Sequence, residues 1–257
     1  MKSLLVFLAL NLLGHSVACA APANQTVLVA ANIEVPVTRY GTGGRALIVW
    51  LPSENGLGQT QQDAAAKLAQ RGYSVWLVDL FSARFLPIAP SSFDEIPPGD
   101  VAALIQAAAK KHQKVILVSS GRGAAVTLSG AKQWQAQHRG RNIAGAVLLF
   151  PNLLTASPEA GEDATYLPIT RQTRLPIAIL QGDKSPWHWQ LDALKQHLAK
   201  GGSRVVIKNL PGMRDRFYFR EDASPQEREL GERLDCLIGD AINTLPGLKP
   251  KGRKKTQ

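Results

Sequence analysis

The sequence predicts an α/β protein: a mostly parallel central sheet with helices on both faces and no large lid domain. Three observations carry this expectation. Short apolar runs rich in β-branched residues recur at 46–51, 115–118, 143–150 and 176–181, as in strands buried on both faces. Between them lie helix-length stretches with apolar residues on one face, two of them ended by Gly72 and by Gly201-Gly202. The order strand–loop–helix–Gly–strand across 46–80 is a crossover unit, which implies parallel pairing.

Residues 26–30 and 33–40 read as two strands, the second alternating around Val35 and Val37, and 41–44 (Gly-Thr-Gly-Gly) as a turn. After the strand at 46–51 comes a loop at 52–58 rich in Ser, Asn and Gly. A helix over 59–70 then puts Ala64, Ala65, Leu68 and Ala69 on one face, and 73–80 is the next strand. The long stretch 81–98 contains Pro87, Pro90, Pro97 and Pro98 together with Phe81, Phe85, Leu86 and Phe93. It reads either as a functional loop or as a strap packed over the sheet edge. Asp100 is placed to N-cap an Ala-rich helix over 101–110. The strand beginning at 115 runs into a Ser/Gly-rich turn and a small-residue helix reaching about 138, followed by a strand at 143–150. Residues 151–174 hold no large insertion. Strands at 176–181 and 205–210 flank a helix at 191–200. Ser224 caps a final helix from Pro225 to about 242.

The first 20 residues have the form of a secretory signal: Lys2, an apolar run over 4–13, and Ala18-Cys19-Ala20 as a cleavage site. The run is too short to span a membrane. Lipidation at Cys19 is the alternative; Ser16, where a Leu is usual, argues against it. The expected product is periplasmic or secreted, a single domain over 21–246 with a basic tail over 247–257. Its one cysteine, Cys236, leaves no internal disulfide, so stability must come from the core. The net charge is +10, and five of the cations are Lys249, Lys251, Arg253, Lys254 and Lys255. That tail reads as a solvating end or as a contact for an anionic surface. Export and the lack of a basic face interleaved with aromatics argue against nucleic acid. No His/Cys/Asp cluster has metal-ligand spacing, and no cofactor is expected. "SSGRGAAVTLSG" lacks the Gly-Lys-Ser/Thr of a phosphate loop.

Three segments, "AAAKLAQRGYSVWLVDL", "LPIAILQGDKSPW" and "VVIKNLPGMRDRF", stand in order around Val115–Ala125. With them the chain resembles the α/β-hydrolase superfamily from about 35 to 242. The resemblance implies a nucleophile on a strained strand–turn–helix elbow, with a small residue two positions to either side. Ser119 and Gly123 take the small positions, and Gly121 takes the nucleophile's. Glycine adopts the strained conformation with no Cβ penalty, so its presence fits an elbow relieved of catalysis. Shifting the turn by one residue makes Ser120 the nucleophile instead.

The resemblance places the orienting acid just past the strand that ends near Gln181. Asp183 is somewhat early, and Ser185 holds the more usual place. It places the base, a His, shortly after Pro211-Gly212, where Met213-Arg214-Asp215-Arg216 stands instead. Asp215 needs a strongly raised pKa to accept a proton, and Arg214 and Arg216 are expected to push it down. His188, between Trp187 and Trp189, either lines the cleft mouth or packs beside aromatic rings; His112 and His138 read as surface residues.

Two functions follow. One is an exported protein that has lost its triad and binds a small molecule or a periplasmic protein. Its cleft is bounded by the 53–58 loop, the elbow, the 187–189 loop and Asp215, with Ser53, Gly121, Arg122, Trp187 and His188 as ligand contacts. The other is an atypical ester hydrolase using Ser120 with Asp183 or Asp215, and His188 as a relay.

Overall fold

The computed structural model describes residues 21–44, 46–138, 142–159 and 162–248. The signal segment with Cys19, and the tail from Lys249 onward, lie outside the described residues.

The chain runs β1 (Ala23–Ala30), β2 (Ile33–Tyr40), β3 (Leu47–Trp50), α1 (Gln59–Gln70), β4 (Ser74–Val78), α2 (Pro98–Lys111), β5 (Val115–Ser120), α3 (Gly123–Gln137), β6 (Ile143–Leu149), β7 (Ile177–Gly182), α4 (Leu191–Gly201), β8 (Val205–Leu210), α5 (Pro225–Glu232) and α6 (Leu234–Thr244). The strands form one sheet in the order β1-β2-β4-β3-β5-β6-β7-β8. β2 is antiparallel to both β1 and β4, and every pairing from β4 to β8 is parallel.

The layering follows from side-chain alternation in strands covered on both faces. In and around β3, Leu47, Val49 and Leu51 join the core beneath α2, α3 and α4. Ala46, Ile48 and Trp50 join the core beneath α1 and α6. β3 and β5 are wholly buried. The parallel strands therefore end together at their C-terminal edge, where the connecting loops gather.

Several local expectations are revised. Asp100 is not the cap of α2: the helix begins at Pro98 with Pro97 as its cap residue, because Pro suits the first turn. Asp100 lies inside that turn, buried, and takes a two-pronged bond from Arg84 (2.5 and 2.9 Å). The stretch 81–98 is largely a strap: Phe81 and Phe93 meet edge-to-face at 5.1 Å inside the core, while Phe85 and Ile88 stay exposed. The C-terminal helix is two helices, broken at Arg233. Ser224 does cap the first, in a reciprocal box with Glu227 (Glu227 N to Ser224 Oγ 3.2 Å; Ser224 N to Glu227 Oε2 2.8 Å). His112 and His138 are half-buried rather than on the surface, and His138 stacks on Trp134 with ring centres 4.9 Å apart. Among the described residues no helix is long and apolar enough to cross a membrane.

Candidate functional site

β5 ends at Ser120, and α3 starts at Gly123. Between them the chain reverses at Gly121, which has φ +54°. Glycine suits this left-handed turn because any side chain there strains the backbone. The turn is held from β6 and the loop beyond it: Gly121 N donates to Leu149 O (3.1 Å), and Asn152 N donates to Gly121 O (3.0 Å). At Gly123 a Cβ would stand 2.1 Å from Pro52 O, so the second small position is required by the approach of the β3 loop.

Space beside Gly121 is taken by a residue that the sequence did not single out. Ser53 to Gly56 forms a tight turn after β3, closed by Gly56 N to Ser53 O (2.9 Å), and its Glu54 reaches over the elbow. A Cβ built on Gly121 would lie 2.1 Å from Glu54 Oε2. The same oxygen accepts the Arg122 amide at 2.9 Å. The other Glu54 oxygen is paired with Arg216, whose guanidinium also reaches Asn55 Oδ1 (3.1 Å) and Asp215 Oδ2 (2.8 Å). A carboxylate from a neighbouring loop thus stands where a side chain at position 121 would project. Only the 53–58 segment, which the sequence placed at the cleft rim, hinted at it.

Ser120 lies one residue before the turn. It is buried, at 3 % exposure, and the group its hydroxyl acts on is the Tyr218 phenol, not a histidine. Burial, opposed by Ser120 and reinforced by Asp215, holds the Tyr218 phenol above its usual range, so it stays protonated. Asp215 differs from expectation. Burial raises its pKa despite the opposing Arg216, and Glu54 adds to the rise. Arg214 plays no part, because it turns away to Glu227 (2.8 and 2.6 Å) and Asp222 (2.9 Å). Asp215 Oδ1 is buried without a partner.

Other sequence-selected residues serve the loops. Ser53 is buried within its own turn, donating to Gly56 O (3.3 Å) and accepting Asn55 N (3.0 Å), so its hydroxyl is not turned toward a ligand. Asp183 is exposed and accepts Gly212 N at 2.7 Å, tying the β7 end to the 211–212 turn. Ser185 is buried and accepts Trp187 N (3.3 Å). His188 packs against Trp189 with ring centres 5.8 Å apart, and its Nδ1 is buried without a partner. Trp187 lines a small cavity with Gln181, Asn152 and Tyr166. The structure therefore gathers Gly121, Arg122 and Asp215, with Glu54, Arg216 and Tyr218, and engages Asp183 and Ser185 in separate turns. Among the described residues no group of three His, Cys, Asp or Glu side chains is placed to hold a metal ion.

The chain superposes on solved hydrolases along most of its length. A Klebsiella pneumoniae subsp. pneumoniae protein assigned as a dienelactone hydrolase matches with a TM-score of 0.63 at 15 % identity, over 88 % of this chain and 100 % of that one. A hyperthermophilic esterase from Pyrobaculum calidifontis matches with a TM-score of 0.62 at 14 % identity, over 86 % and 84 %. Carboxyl esterase 2 from Tuber melanosporum matches with a TM-score of 0.62 at 14 % identity, over 90 % and 89 %. This chain has the α/β-hydrolase fold. No family model matches the sequence, and no curated protein matches it. In an α/β-hydrolase elbow, the amide after the nucleophile belongs to the oxyanion hole. In this chain the amide that follows Gly121, Arg122 N–H, is bonded to Glu54.

Proposed function

We propose that this α/β-hydrolase-fold protein acts by binding, not by acyl transfer. One observation carries the reading: the Glu54 carboxylate stands against Gly121 and accepts the Arg122 amide. Acyl transfer needs a hydroxyl at the elbow, a base to deprotonate it, and a free donor for the developing oxyanion. Gly121 supplies no hydroxyl, Asp215 stands where the base is expected, and Glu54 engages the donor. The ligand, a small molecule or a periplasmic protein segment, is taken at the C-terminal edge of the sheet, where folds of this type bind. The 1–20 segment supports export, and the basic tail supports contact with an anionic surface.

A second reading, an ester hydrolase using Ser120, is favoured by the esterases among the structural neighbours and by the Ser120–Tyr218 contact next to Asp215. A fluorophosphonate probe and a short-chain nitrophenyl ester separate the two. The binding reading expects neither labelling nor turnover by the purified protein. Labelling and turnover that both disappear on Ser120→Ala would replace it with the hydrolase reading.

A further inference from the structure

Glu54 also indicates what the elbow accepts. We propose that the elbow is a binding site for a small monocarboxylate, which enters by displacing Glu54 from the Arg122 amide and the Arg216 guanidinium. This rests on the binding reading above and names its ligand class.

The site is already built around a carboxylate. Glu54 is held by a backbone N–H on one oxygen and a guanidinium on the other, and its side chain is 10 % exposed. A planar donor fork beside an amide matches a two-oxygen anion better than a spherical one. Glu54 fills the space beside Gly121, and its withdrawal opens that space to a ligand because Gly121 projects no side chain. Arg216 is aimed there by a left-handed backbone (φ +46°), a conformation that is costly for a non-glycine residue and tends to accompany functional sites.

Exchange keeps the number of carboxylates paired with Arg216 at two. Arg216 serves two carboxylates, Glu54 and Asp215. A third anion entering beside both is opposed, but one replacing Glu54 takes over its contacts while the displaced Glu54 carboxylate is hydrated by solvent. Arg216 is 30 % exposed, so an incoming ion meets it from solvent. Glu54 sits on the four-residue turn from Ser53 to Gly56, so its departure needs a side-chain swing and leaves the sheet untouched. The neighbouring Asp215, whose Oδ1 has no partner, disfavours a doubly charged ligand.

The test is isothermal titration of the mature protein with acetate, propionate and inorganic phosphate, on wild type, Glu54→Ala, Glu54→Gln and Glu54→Ala/Arg216→Ala. Wild type binds acetate weakly, because only the fraction with Glu54 withdrawn is competent. Glu54→Ala binds it at least about tenfold more tightly. Glu54→Gln, which keeps an acceptor for the Arg122 amide and so guards against misfolding, falls between them. Phosphate binds more weakly than acetate throughout, and the double variant loses the gain. No saturable acetate binding by Glu54→Ala or Glu54→Gln overturns the proposal. Equal binding without Arg216 overturns it too, as does a wild type that never takes acetate, since Glu54 is then a fixed plug. Ester turnover measured on the same samples keeps the readings apart: turnover that depends on Ser120 defeats the non-catalytic reading and leaves the titration to be judged alone.

Discussion

Arg122, next to Gly121 at the turn between β5 and α3, donates its amide to Glu54 Oε2 at 2.9 Å. The bond is partly buried and of ordinary length. It makes the elbow an acceptor-filled site and sets the behaviour of its variants.

Gly121→Ser supplies a hydroxyl at the elbow but collides with Glu54, since even its Cβ falls 2.1 Å from Oε2. With the left-handed backbone added, the expected loss of stability is about 1–3 kcal/mol, read by urea unfolding. Combining it with Glu54→Ala restores part of that loss. Neither variant hydrolyses a nitrophenyl ester, because no histidine follows Pro211-Gly212. Gly121→Ser/Asp215→His adds both groups and yields at most slow turnover, since Asp183 is engaged with Gly212 N. Efficient hydrolysis by Gly121→Ser alone would contradict this account of the site.

Ser120→Ala is a stability variant. It removes the hydroxyl that acts on the buried Tyr218 phenol, with an expected cost of about 1–3 kcal/mol. Tyr218→Phe strands the other hydroxyl. The double variant removes both groups, so its measured loss is smaller than the sum of the two single losses. Additive losses would mean that the two hydroxyls do not pair.

Acid stability depends on Glu227. Bonds from Arg214, helped by the Ser224 and Arg214 amides, hold its carboxyl well below the usual range despite burial. A lowered native pKa contributes stability that is complete above the unfolded value, about 4.5, and is lost as pH falls toward the native one. Glu227→Gln therefore lowers the melting temperature most above about pH 4.5, and the gap to wild type narrows in acid. Asp215 works in the opposite sense: its native pKa is raised, so its charge opposes folding at higher pH, and acidification relieves that. A gap that widens in acid would exclude the Glu227–Arg214 pair as the source.

Export is checked by N-terminal sequencing, which is expected to start near Ala21; an acylated Cys19 would instead indicate a lipoprotein. Deleting 249–257 is expected to leave the melting temperature nearly unchanged, and any vesicle binding through the tail falls steeply with added salt. A loss of many degrees would mean that the tail is packed.

Local patterning carried the fold. The apolar runs at 46–51 and 115–118 are strands because continuous burial needs residues that are apolar on both faces, and Gly72 ends α1 as the helix pattern implied. The left-handed turn at Gly121 was legible for the same reason: a strand, a small-residue turn and a helix are contiguous in sequence. The site's chemistry was not. Glu54 and Arg216 are 162 positions apart, and only the stacking of parallel strands brings their loops to one edge of the sheet. Sequence proximity also misassigned Arg214, which adjoins Asp215 along the chain yet turns to Glu227. Composition and periodicity determine which face of each element is buried, because that is a local property. Which carboxylate fills the elbow, which arginine holds it and which hydroxyl meets Ser120 depend on long-range register, and the tertiary structure alone decides them.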